Sequence, residues 1–283
     1  MSGKFLILGS RGLLGTNLKK FFKRRSIKYI TYKRNIKTNF QVLKKIILKN
    51  KTKVIINLSA LADVDLCEKN KSRANEINYI FVKKLCEIAT EIKNLHIIHI
   101  STDQVYSKFS KNYEHRFKTI NYYSKTKILA EKELKKVSST IFRTNFFGLG
   151  NHKAKMSFSD WIFNNLKKKN YFKMADDIYF SPIRIETLCE LIYKACKLKI
   201  SGIYNVGSKK AFSKYIFANK FAFFLKLDNS RIVRVKKKML NFYAKRPSDM
   251  RMQVAKFEKF FNLTLPFLED EIRIESKKYL NAK

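Results

Sequence analysis

Glycine, proline and tryptophan are scarce in this chain, with 8, 3 and 1 among 283 residues, which excludes collagen-like and Gly/Pro-rich low-complexity architectures. Cysteine is almost as rare. Cys67, Cys86, Cys189 and Cys196 form neither a CxxC pair nor a zinc-ligand spacing, and each sits beside apolar residues in a helix-type segment. That pattern excludes a disulfide framework and points to reduced, buried thiols in a cytoplasmic protein. No apolar run approaches the ~18 residues of a membrane span, and the N-terminal run Phe5–Leu8 is far shorter than the core of a signal peptide. Acidic residues are few as well: 22 Asp+Glu stand against 61 Lys+Arg, a formal charge of +39. A surplus of that size points to nucleic acid or an anionic membrane on composition alone. Against this, the basic residues are 48 Lys and only 13 Arg, strewn along the whole chain with no basic arm. This is the mark of a compositional drift at surface positions, and no specific nucleic-acid or membrane partner is expected.

What is present is a core and a rhythm. With 45% hydrophobic residues the chain can fill a sizeable interior. Short β-branched apolar runs alternate with longer segments of helical period, the signature of βαβ units on a parallel sheet. The runs predict strands at Phe5–Leu8, Tyr29–Tyr32, Val54–Leu58, Leu95–Ile100 and Thr140–Phe142. Between them the period predicts helices at Leu13–Arg25, Gln41–Leu48, Asn75–Ile92 and Tyr123–Val137. After Arg143 the rhythm loosens, with helices expected near Phe158–Lys168, Glu186–Leu198, Ser213–Leu225 and Leu268–Leu280, and with Gly202–Val206 short and apolar enough to return to the sheet. The expected division is residues 1–148, binding a cofactor, and a smaller region, 149–283, folding over the sheet's open edge.

Gly9-Ser10-Arg11-Gly12-Leu13-Leu14-Gly15 follows the first strand and opens the first helix. Three of the eight glycines therefore fall where backbone N–H groups and a helix N-terminus meet a pyrophosphate. A site for NAD usually carries a carboxylate at the end of the second strand to hold the adenosine ribose. Here the segment reads Tyr32-Lys33-Arg34-Asn35. With Arg11 it supplies cations where a 2′-phosphate lies, so NADPH is the expected cofactor and NADH the alternative.

Tyr123 and Lys127, at i and i+4, share one face of a helix. An ammonium beside a phenol lowers its pKa, and such a pair can hand a proton to a carbonyl oxygen as hydride reaches the carbon. Upstream, Ser101-Thr102-Asp103-Gln104 follows the fourth buried strand at its carboxyl end, where ligands bind in open α/β sheets, and Thr102 can hydrogen-bond the same oxygen. The four histidines show no metal spacing, so no metal is expected; His96 and His99, on opposite faces of the fourth strand, read as packing or hydrogen-bonding residues. Phe158, Trp161 and Phe163 could line a sugar pocket, but the apolar stripe of a buried helix is the preferred reading.

In this order the motifs resemble the dTDP-4-dehydrorhamnose reductase-like family of extended short-chain dehydrogenases/reductases over nearly the whole chain. Beyond the glycine loop and Tyr123-x-x-x-Lys127-x-x-Ala130-Glu131, the likeness rests on Asn57-Leu58-Ser59-Ala60, Asp63-Val64-Asp65-Leu66-Cys67-Glu68, Ala74-x-x-Ile77-Asn78 and Ser101-Thr102-Asp103. Arg143-Thr144-Asn145, Phe180-Ser181-Pro182, Gly202–Gly207 and Ala244–Asp249 extend it. The resemblance implies an α/β fold: a Rossmann, doubly wound parallel sheet with a smaller C-terminal α/β region that binds a nucleotide-sugar. By matching positions Tyr123 is the implied proton donor, Lys127 its activator and a ribose ligand, and Thr102 the carbonyl-orienting hydroxyl. Gly9, Ser10, Arg11, Gly12, Leu13, Leu14, Gly15, Lys33, Arg34, Ser59, Ala60 and Ser101 then fall on the cofactor side. Asp63, Val64, Asp103, Gln104, Asn145 and Arg246 fall on the substrate side.

The expected activity is NADPH-dependent reduction of a 4-keto deoxysugar nucleotide for surface-polysaccharide synthesis, in the cytoplasm, with a homodimer compatible with the sequence. Two other readings share the motifs. One is an epimerase or dehydratase of the same superfamily. The other is a non-catalytic, NADP-binding regulatory subunit, since the regulatory β subunit of methionine adenosyltransferase resembles the same family.

Overall fold

The computed structural model describes residues 5–32, 39–107, 112–150 and 156–281. Five strands, β1 (Phe5–Leu8), β2 (Tyr29–Tyr32), β3 (Val54–Asn57), β4 (His96–Thr102) and β5 (Ser139–Thr144), are joined in one parallel sheet by the strand Gly202–Val206. The order across the sheet is Gly202–Val206, β5, β4, β3, β1, β2. Ile203 pairs with Ile141 and Tyr204 with Phe142, so the late strand does return to the sheet, at the edge beyond β5. The doubly wound parallel sheet is thus observed. Chain direction across it reverses between β1 and β3, and such a reversal opens a crevice at the strands' carboxyl ends.

Both faces of the sheet are covered, and the strand residues alternate between two cores. Leu6, Leu8, Ile55, Ile97 and Ile141 meet α2 (Phe40–Lys49), α5 (Phe81–Glu91) and α6 (Tyr122–Leu134). Ile7, Ile56, Ile98, Phe142 and Tyr204 meet α1 (Leu13–Arg24), α8 (Ile185–Leu198) and α10 (Ala255–Phe261). Near-continuous apolar strands are what a sheet buried on both faces requires. A further core, off the sheet, gathers α7 (Phe158–Lys167), α9 (Lys214–Leu225) and α11 (Leu268–Asn281) around Phe147, Phe180, Phe217 and Phe221.

The expected helix at Asn75–Ile92 is the largest local departure. The chain forms α3 (Val64–Lys69) and α4 (Lys71–Asn75), then one π-helical turn, Glu76–Ile80, before α5. Asn70 starts α4 by accepting from Arg73 N. The wide turn carries buried Asn78, whose Oδ1 accepts from Leu61 N at 2.8 Å and whose Nδ2 donates to Leu61 O and to Thr126 Oγ1. One inserted residue thereby ties the loop after β3 to α6, a recurrent use of π turns at functional sites. The short helices α3 and α10 lie outside the expected segments.

Candidate functional site

The glycine loop is built from three different constraints. Gly9 has φ +78°, and a Cβ on it would lie 2.7 Å from Leu58 C and Ser59 N, so only glycine lets the loop after β1 pass the end of β3. A Cβ on Gly15 would lie 2.4 Å from Gly9 O, so this glycine seats α1 against the loop. At Gly12 the nearest such contact is Gly9 O at 3.5 Å, leaving room where the helix begins. The N-terminus of α1 has no side-chain cap among the described residues and no acid in its first turn, so its positive end is open to an anion. Leu14 is buried in the core and Leu13 packs on it, whereas Ser10 is buried and Arg11 exposed in the loop itself. Across the crevice Ala60 is exposed, and Ser59 Oγ is buried with no partner among the described residues. Space at Gly12, an open helix terminus and an unsatisfied hydroxyl fit a dinucleotide cofactor. Lys33 and Arg34, the cations that chiefly favour NADPH, lie outside the described residues.

Helix α6 is buried on most of its circumference, which brings Lys127 as well as Tyr123 inside. Its start is capped by Asn121, whose Oδ1 accepts from Ser124 N while Nδ2 donates to Lys245 O, joining the helix to the 244–247 segment. Burial pushes the Tyr123 phenol above its ordinary range, while the neighbouring Thr102 hydroxyl acts in the opposite direction. Thr102 Oγ1 also accepts from Gln104 N at 3.1 Å. Lys127 Nζ donates to Ile100 O at 2.7 Å and lies 2.9 Å from His99 Nε2. Burial pulls this lysine down to about 8, opposed chiefly by the charge of Glu131. Its amine is therefore engaged with β4, and the spacing-based picture of an ammonium pressed on the phenol is not what bears on Tyr123 in the ligand-free chain. Ser101 Oγ donates to Glu131 at 2.6 Å.

Beside these residues lies a cavity of about 420 Å³ lined by Gln104, Phe158, Trp161, Lys173, Lys214 and Arg246. Gln104 belongs to both. Its N–H braces Thr102, its Nε2 donates to Met250 Sδ, and its Oε1 is buried without a partner among the described residues, as suits a ligand hydroxyl. Phe158 and Phe163 pack on the core, against Phe180 and Phe217 and against Tyr279, as expected of an apolar stripe, while Phe158 and Trp161 also line the cavity. Buried Asp103 accepts from Asn145 Nδ2 at 2.9 Å. Burial raises the Asp103 carboxyl, and burial lowers Lys214, whose Nζ lies over the rings of Phe180 and Phe158. Arg246 is held by Asp65 at 2.9 Å and stacks on Phe242. Asp63 is exposed and caps α3, and Val64 packs with Tyr123 in a small cluster. A second cavity, about 620 Å³ between α1, α8 and α11, shares no residue with this set.

Sequence reasoning missed Lys214, Asp65 and Asn57. Lys214 is one lysine among 48, and neither Asp65 nor Asn57 has a local pattern that gives it a role. His96 bonds Ser138 and Thr140, and among the described residues no group of three or more His, Cys, Asp or Glu side chains is placed to hold a metal. None of the four buried cysteines is in a disulfide, and no helix among the described residues is long and apolar enough to cross a membrane.

The family model of the RmlD substrate binding domain matches residues 3–279. The chain is 25% identical over 230 residues to the dTDP-4-dehydrorhamnose reductase of Salmonella typhimurium, covering 75% of each protein. It is 24% identical over 226 residues to a probable low-salt glycan biosynthesis reductase of Haloferax volcanii, covering 77% of this chain and 75% of that one. Among solved structures, a dTDP-4-dehydrorhamnose reductase from Clostridium acetobutylicum superposes with a TM-score of 0.88 at 24% identity, over 98% of this chain and 99% of that one. The enzyme of the same name from Bacillus anthracis, solved in complex with NADP, has a TM-score of 0.87 at 22% identity, over 98% and 100%.

Proposed function

Since the chain belongs to the family of the RmlD substrate binding domain, we propose that it reduces a 4-keto deoxysugar nucleotide with NADPH, supplying a precursor of a surface polysaccharide. It is an oxidoreductase of the short-chain dehydrogenase/reductase type. In this reading residues 1–148, with the strand Gly202–Val206, carry the cofactor, and 149–283 carry most of the substrate contacts. A nicotinamide cofactor supplies the hydride. Gly9, Gly12 and the N-terminus of α1 would hold its pyrophosphate, with Ser59 and Lys127 toward its ribose. Tyr123, kept protonated by burial, gives its proton to the carbonyl oxygen, and Thr102 offers that oxygen a second hydrogen bond. Gln104, Asn145 and Asp103 face the sugar, and Arg246 and Lys173 offer charge to the diphosphate. Four buried thiols outside disulfides suit a reducing compartment, and we assign the cytoplasm.

The observation that carries the reading is that buried Tyr123 and Thr102 sit beside a cavity lined by Gln104, whose N–H holds the Thr102 hydroxyl at 3.1 Å. The test is oxidation of NADPH, and in parallel NADH, with a panel of 4-keto sugar nucleotides. Turnover with NADPH favoured is expected. If no member of the panel is reduced while the protein still binds NADPH, the regulatory-subunit reading takes its place.

A further inference from the structure

Resting on the reading of Lys127 as a ribose ligand beside the proton donor, we infer that Asn57 and His99 are positioning residues that decide whether Lys127 meets β4 as an amine or as an ammonium. Four hydrogen bonds in series carry the argument. Ser59 N–H is a backbone donor that cannot be reversed, and it lies 3.2 Å from Asn57 Oδ1. This fixes the Asn57 amide, so its Nδ2 is the atom 3.0 Å from His99 Nδ1 and must donate to it. A histidine that accepts at Nδ1 carries its proton on Nε2, and Nε2 lies 2.9 Å from Lys127 Nζ. At the far end Ile100 O can only accept, and Lys127 donates to it at 2.7 Å.

All four links are satisfied together only when Nζ has a lone pair for His99 Nε2–H. An ammonium has none, so charging Lys127 forces one link of the chain to break. The geometry supplies no escape through the ring, because Asn57 and His99 are fully buried and His99 cannot turn to water. Burial also drives His99 well below its ordinary range, so the ring stays neutral. The other groups that bear on Lys127 do not replace the lost link. Glu131, one turn along α6, is spent on Arg143 and on Ser101. From α3, Cys67 Sγ donates to Leu61 O. Tyr123, on the same helix, remains a phenol. The lowering of Lys127 to about 8 has burial as its first cause, and the one-way wiring adds to it.

Asn57→Asp reverses the wiring with almost no change of shape. A carboxylate accepts from both Ser59 N–H and His99 Nδ1–H, which leaves Nε2 free to accept from an ammonium. Asn57→Leu is the uncharged control, since without the amide donor His99 can carry its proton on Nδ1 and accept from the same ammonium at Nε2. The measurement is NMR of isotope-labelled lysine Nζ in the ligand-free protein, with the Lys127 signal identified by its loss in Lys127→Met. In wild type the signal is expected to titrate at least one pH unit below the exposed lysines, and in both variants it should move up by about one to two units, the cost of a broken buried hydrogen bond. The alkaline limb of the pH profile of kcat/KM should move with it, with little change in the KM for NADPH at pH 7. The inference is overturned if Lys127 titrates with the surface lysines in wild type, or at an unchanged pH in both folded variants. Because the titration needs no substrate, a shift in the variants without turnover by wild type would support the wiring and count only against the reductase reading.

Discussion

Arg143, at the end of β5, and Glu131, on α6, form an ion pair wholly inside the protein, with side chains 1% and 3% exposed and Nη2 2.6 Å from Oε2. Arg143 Nε reaches both carboxylate oxygens, and Nη1 donates to Tyr106 OH and Glu114 O, so every partner is already in place. Breaking a buried pair strands the other charge and typically costs ~3–5 kcal/mol. Arg143→Met should lose about that much in urea denaturation, and α6, which carries Tyr123 and Lys127, should be loosened with it. The comparison is Arg273→Ala, whose ion pair with Asp270 is at the surface and should matter far less. Equal losses would mean that the buried pair does not brace the site.

Tyr123→Phe removes one oxygen and keeps a ring that is 8% exposed. Folding and NADPH binding should survive, while kcat falls by ~10²–10⁴-fold, the usual contribution of a placed proton donor. A folded, NADPH-binding Tyr123→Phe protein that reduces a confirmed substrate at the wild-type rate would remove Tyr123 from the chemistry.

The glycines of the first loop should separate by phenotype. In Gly15→Ala the new carbon meets Gly9 O at 2.4 Å, so thermal stability should drop by several degrees even without ligand. Gly12→Ala meets nothing closer than 3.5 Å and should fold normally, yet it fills the space assigned to the pyrophosphate. Its expected defect is weaker NADPH binding, measured by fluorescence titration, at unchanged melting temperature. Normal binding by Gly12→Ala would place the phosphates elsewhere.

Acid should destabilise the protein through its inner histidines. Burial lowers His96 from 6.5 to about 4, so between these values the unfolded chain takes up a proton that the native chain refuses. The stability from His96 is therefore present above pH ~6.5 and is lost as pH falls toward 4, by up to ~3 kcal/mol. His99 is lowered by burial in the same direction. Urea midpoints measured from pH 7 to pH 4 should show a steep loss, and His96→Gln should flatten it. An equally steep loss in the variant would assign the acid sensitivity to other groups.

The parts legible in the sequence are those written in short-range patterns. β1 and β2 agree with their apolar runs residue for residue, and the Gly9–Gly15 spacing announces the strand, turn and helix that form there. β4 runs to Thr102, two residues past the expected end, because Ser101 and Thr102 still pair with β5 although their side chains are polar. The site's less visible members depend on distant partners. His99 looks like one more residue of a buried strand until Asn57 and Lys127, far off in the chain, close on its two ring nitrogens. Trp161 reads as part of a helical stripe, and only the packing of α7 beside Met174 and Met250 leaves it facing a cavity. Asp65 acquires meaning only when the 244–247 segment lays Arg246 against it.

The strand Gly202–Val206 has a consequence for synthesis. As the chain emerges, β5 is complete long before its neighbour exists, and its edge presents unpaired N–H and C=O groups, the surface on which strands of other molecules add. The face above Phe142 is bare over the same interval, since Phe257 and Phe261 arrive later still. A nascent or truncated product ending near residue 148 would therefore be a species prone to association, and lowering the rate of release from the ribosome should raise its demand for chaperones.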